Sequence, residues 1–167
     1  MAGRSHHERD FGASVGGMSG GGIRATLMLC DYAVVAEGKL FISGGGWGVT
    51  LPGAPSAIAL VLGVPWNQAN TKISFELALL AEDGERVLDA QAKAVEIAGE
   101  FEVGRPPGLK PGIPLEVPMA FTVAPIALEP GKRFDWVLTV NGETQEDWHL
   151  GFGTRPALAT PREVPQS

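Results

Sequence analysis

Along most of the chain, apolar and polar side chains alternate with a period of two. That spacing sets one face of a β-strand against a core and the other in water. Phe75, Leu77 and Leu79 alternate with Ser74, Glu76 and Ala78. Leu115, Val117, Met119, Phe121 and Val123 alternate with Glu116, Pro118, Ala120 and Thr122, and Phe134, Trp136, Leu138 and Val140 do the same with Asp135, Val137 and Thr139. Turn residues fall between these runs at Glu37-Gly38-Lys39, Asp83-Gly84, Pro130-Gly131 and Asn141-Gly142. The last is a strong two-residue hairpin signal, because both central positions of a type I′ turn need positive φ.

The pattern predicts strands over 24–35, 39–43, 58–64, 72–80, 86–97, 113–128, 132–140 and 144–152. About eight short strands, each with one apolar face, predict an all-β fold: an antiparallel β-sandwich of two sheets packed face to face. Only residues 87–100 have the Ala-rich composition of a helix, and their cap signals are poor. Pro118 places its strand at an edge or a bulge, since proline donates nothing to the ladder.

At the N-terminal end the pattern stops. The run SVGGMSGGG offers little to bury, so residues 1–22 read as a flexible Gly-rich tail. Residues 156–167, with three prolines and no apolar face, read as a second flexible tail, leaving 23–155 as the β-sandwich domain. The 167 residues suit one domain, able to bury roughly 70% of the surface its unfolded chain exposes. The 23 glycines and 13 prolines agree with many turns rather than helices.

Charge narrows the choice of partner. The net charge is −6, and residues 24–155 hold ten Lys and Arg against sixteen Asp and Glu. Nucleic acid is excluded as a partner on this ground, because phosphate binding needs clustered positive charge. Eight acids between Glu76 and Glu102 face only Arg86 and Lys93 and read as a solvated sheet face. No run approaches the eighteen or so apolar residues of a membrane span, and the N-terminus has no apolar signal core. No membrane partner and a cytoplasmic location are therefore expected. The single cysteine forms no internal disulfide and suits a reducing compartment.

Several motifs stand out together: Leu29-Cys30-Asp31-Tyr32-Ala33, Gly38-Lys39-Leu40, Gly44-Gly45-Gly46-Trp47, Val64-Pro65-Trp66-Asn67-Gln68-Ala69-Asn70, and the closing stretch from Pro130-Gly131 to Trp136. In these the chain resembles a domain-of-unknown-function family of small bacterial and phage-encoded all-β proteins, over most of 23–155. The resemblance implies the sandwich and its boundaries, and a phage or mobile-element setting. It implies no activity, cofactor or catalytic residue.

GGMSGGGIRAT lacks the lysine and spacing of a phosphate-binding P-loop, and GGGWGV opens no helix. Gly44, Gly45 and Gly46 instead permit a bulge or tight corner beneath the Trp47 indole. Cys30 is followed by Asp31, which opposes thiolate formation, so it reads as a buried, inert side chain. Asp31 and Tyr32 read as structural groups near a strand end.

His149 shares a face with Asp147 and reads as a hydrogen-bonded surface histidine. The adjacent acids Glu146 and Asp147 point to opposite faces, so they do not converge as a glycosidase pair. His6 and His7 have no third ligand at a fixed spacing, so no metal and no cofactor are expected.

Trp136 and Trp148 are in phase with the core, whereas Trp47 and Trp66 adjoin turns. If both emerged at one end with Asn67, Gln68 and Asn70, they would form an amphipathic patch for a protein or glycan. The competing reading has each indole sealing an end of the core. The chain thus reads as a non-enzymatic binding or assembly module, with homo-oligomers formed through a sheet edge or the tryptophan end as one form of assembly. The alternative is a small hydrolase using Cys30 and His149.

Overall fold

A computed structural model describes residues 22–159. The expected tails therefore fall outside the described residues, except for Gly22 and residues 156–159 at their inner ends.

Ten strands form in order: β1 (Arg24–Cys30), β2 (Tyr32–Ala36), β3 (Lys39–Ser43), β4 (Val49–Thr50), β5 (Ser56–Val64), β6 (Lys72–Ala81), β7 (Glu96–Glu102), β8 (Leu115–Val123), β9 (Arg133–Val140) and β10 (His149–Thr154). A 3-10 turn at Trp66–Gln68 links β5 to β6. The strands build a three-stranded sheet β1-β5-β8, a five-stranded sheet β4-β10-β9-β6-β7, and a separate hairpin β2-β3. Every pairing is antiparallel except the two-residue β4, which runs parallel to β10.

The two larger sheets pack face to face, as the alternation predicts. Ile58, Leu60, Leu62 and Val64 of β5 meet Ile73, Phe75, Leu77 and Leu79 of β6 and Phe134, Trp136, Leu138 and Val140 of β9 in one buried cluster. Trp136 and Trp148 are both core residues. Pro118 lies on β8, an edge strand of its sheet, where a proline is tolerated. The outer face of β6 and β7 is the solvated acidic face: Glu76 and Glu96 both bind Arg86, and Glu100 pairs with Lys72.

Two turns carry positive φ at both central residues, Glu37 and Gly38 (51° and 69°) and Asn141 and Gly142 (51° and 80°), as type I′ turns require. After Asn141-Gly142 only the Val140–Glu143 bridge closes, and β10 starts at His149 because residues 144–147 turn away from the ladder.

The expected strand 86–97 is mostly a turn-rich excursion, bridged at Leu80–Arg86 and Leu88–Ala94, and β7 begins only at Glu96. The Asp89 carboxylate accepts from the Gln91 and Lys93 amides and Ala92 takes φ 60°, so local side-chain capping outcompetes the ladder there. The expected strand 24–35 breaks at Asp31, where the chain bends out of β1 into the hairpin.

Candidate functional site

The hairpin is a third layer on the outside of the three-stranded sheet. Cys30 on β1 stands opposite Ala57 on β5, Ala59 is flanked by Met28 and Ala120, and all of these face away from the main core. Cys30, Ala57 and Ala59 are buried because Ala33 of β2 and Leu40 of β3 pack onto them, with Ala120 at the margin. Small side chains on the sheet let the hairpin backbone lie close.

The glycine run anchors the hairpin at its base. The Asp31 amide donates to the Ser43 and Gly44 carbonyls, and the Gly46 amide donates to the Leu29 carbonyl at 2.8 Å. Gly44 has φ 62°, and a Cβ there would overlap the Asp31 carboxylate; a Cβ on Gly45 would overlap Met28 and Ile42. The corner anticipated in GGGWG thus brings β3 back along the end of β1.

Register then decides what the hairpin shows to water. Ala33 and Leu40 belong to the inward row, so the pairs Tyr32–Ser43, Val34–Phe41 and Ala36–Lys39 form the outward row. In that row Tyr32, Val34 and Phe41 expose 56%, 37% and 54% of their surface; Val35 and Ile42 of the inward row and Met28 on β1 are each exposed by about two-fifths. No other segment brings so many exposed apolar side chains together among the described residues.

The tryptophans anticipated as one patch lie apart. Trp47 packs edge-on against Phe152, with ring centroids 6.0 Å apart, near the start of β5. Its Nε1 is buried without a hydrogen-bond partner. Trp66 follows the end of β5, and nine residues of strand separate the two ends by about 27 Å. Both indoles are half-buried against the core. Arg105 covers Trp66 at 5.2 Å from the ring centre and donates to its carbonyl at 3.0 Å. Asn67 is exposed, Gln68 half-buried, and Asn70 takes φ 57° while its amide donates to Val103. Trp66, Asn67, Gln68 and Asn70 therefore form one connection, far from Trp47.

Cys30 and His149 lie on opposite outer faces of the sandwich. The buried thiol donates to the Ala57 carbonyl at 3.5 Å, and burial, reinforced by the Asp31 charge, pushes its pKa up. His149 stands on the outside of the five-stranded sheet, with Nδ1 2.9 Å from Asp135 Oδ2. Both sheets separate the two residues, so the geometry builds no nucleophile–base pair. A cleft of about 670 Å³ opens between the excursion and residues 122–127, with Trp136 among its lining residues. Its acids are already engaged, Asp89 by backbone amides and Glu96 by Arg86, which leaves the uncharged Gln91 and Thr122 as its other polar side chains.

Sequence reasoning passed over the hairpin face. Its signal was available in YAVVA and KLFI, which are apolar without alternation: a strand with two apolar faces and only one covered must expose the other.

Among solved structures the chain is similar to "X-ray structure of Northeast Structural Genomics Consortium target SoR45", at 13% identity over 87% of this chain and 92% of that one, with a TM-score of 0.24. No curated protein matches the chain. Residues 25–152, which span every strand from β1 into β10, match DUF6941, a family of unknown function, and the chain belongs to that family.

Proposed function

We propose that this protein is a non-enzymatic binding or assembly module whose contact surface is the outward face of the β2-β3 hairpin. The observation that carries the reading is the exposed group of Tyr32, Val34 and Phe41 on a hairpin paired with no further strand. A hairpin turned outward with apolar side chains costs solubility and is retained where it is covered by a partner. The separation of Cys30 from His149 favours this reading over hydrolysis. The phage or mobile-element setting belongs to the same proposal and rests on the sequence resemblance described above.

The test is capture of partners by the tagged full chain from its host, compared with Phe41→Glu. The expected result is a defined set of captured species that the variant loses, while circular dichroism and the unfolding midpoint stay at wild-type values. Equal capture by both proteins would remove the hairpin as the contact surface.

A further inference from the structure

We infer that a second site, apart from the hairpin, lies at the mouth between the two large sheets, where the cleft beside Trp136 takes a small uncharged apolar molecule carrying one hydrogen-bond acceptor. That acceptor meets the Trp47 indole N–H once the segment 124–128 swings aside.

Shape and charge set the class of ligand. The cleft, about 670 Å³, falls within the range of roughly 300–1,000 Å³ that holds small molecules. Leu88, Ala94, Val95, Ile97, Ala124 and Ile126 give it apolar walls, and Leu88 exposes 57% of its surface. Its two carboxylates already have partners, Glu96 in Arg86 and Asp89 in the Gln91 and Lys93 amides. A charged ligand would shed its hydration there and find no counter-ion, so an uncharged one is favoured.

Behind the cleft lies a smaller cavity of about 20 Å³, lined by Trp47, Leu79 and Phe152 among others, with room for a single water-sized oxygen. Val123, Ala124, Ile126 and Trp136 are walls of both. Trp47 Nε1 is buried and has no partner among the described residues, which favours a ligand acceptor that reaches it. The partition between the two spaces is weakly held. β8 stops pairing at Val123, two residues before Pro125, and the one backbone hydrogen bond that 124–128 makes is its own, from the Leu128 amide to the Ile126 carbonyl at 2.9 Å. The half-buried side chains of Ile126 and Leu128 fasten the segment to the core. A segment without ladder bonds opens locally at small cost.

Fluorescence titration of the full chain tests this, with Prodan, an uncharged naphthyl ketone whose emission reports its surroundings, as the probe. Dimethylaminonaphthalene, which lacks the ketone, is its control. Binding is expected to saturate at one Prodan per chain. Ala124 is exposed, and Ala124→Glu, which sets a charge at the passage, is expected to abolish binding without loss of the fold. Trp47→Phe keeps an aromatic ring and removes the N–H. It is expected to weaken Prodan about fivefold to tenfold and to leave dimethylaminonaphthalene within about twofold of wild type. Ile126→Ala loosens the segment and is expected to speed Prodan association at least about threefold in stopped flow, which tests the opening even if Trp47→Phe fails to fold.

Absence of saturable binding overturns the site, as does binding that survives Ala124→Glu. Equal loss of both probes on Trp47→Phe, or loss of neither, overturns the contact with the indole N–H. Association unchanged by Ile126→Ala overturns the opening of the segment.

Discussion

The Cys30 thiol has no exposed surface, and its environment works against ionisation. The folded pKa is raised above the ordinary 9.0, first by burial and then by the Asp31 charge. A raised pKa means that the folded state holds its proton where the unfolded state has begun to lose it. The contribution to stability is therefore complete below pH 9 and is lost as pH rises through the folded value. Comparing urea unfolding of wild type and Cys30→Ala between pH 7 and 10.5, the wild type is expected to lose more stability above pH 9. Parallel pH profiles would show that the thiol titrates alike in both states. Nearby, Gly44 serves through what it lacks: a side chain there would displace the Asp31 carboxylate and strain the backbone at φ 62°.

At the scale of the element, the hairpin depends on a floor of small residues. Ala57, Ala59 and Ala120 hold the surface of β5 and β8 low enough for Ala33 and Leu40 to reach it. Ala59→Leu puts a branched side chain into that gap and is expected to cost about 1–3 kcal/mol in urea unfolding. No loss of stability would mean that the hairpin rides loosely on the sheet. The excursion before β7 shows the opposite balance, because Asp89 caps local amides so well that a stretch expected as a strand leaves the ladder. Such competition is invisible to periodicity, which reads side-chain spacing and not which acceptor an amide finds first.

For the whole molecule, pairing predicts an order of protection. β5, β6 and β9 each have a neighbour on both sides, whereas β2 and β3 pair only with each other. Amide hydrogen exchange is expected to be slowest in β5, β6 and β9 and fastest among the strands in β2 and β3. Hairpin amides as slow as those of β6 would contradict this order. The charge distribution has the same polarity: acids crowd one outer face, and the apolar hairpin occupies the other.

The amino-acid sequence alone determined the fold class, the turns at Glu37-Gly38 and Asn141-Gly142, the edge position of Pro118 and the burial of Trp136 and Trp148. Each follows from interactions between residues close along the chain: side-chain alternation, φ preference, a missing donor. What only the tertiary structure decided is how distant segments meet. It set Trp47 and Trp66 at opposite ends of β5, Cys30 and His149 on opposite faces, Arg105 over Trp66, and the hairpin outside the sandwich. Period two tells which residues share a face of a strand and is silent on which face of a two-sided apolar hairpin will be covered. That depended on three alanines and a cysteine of β1, β5 and β8, whose smallness acquires meaning only once the strands are side by side.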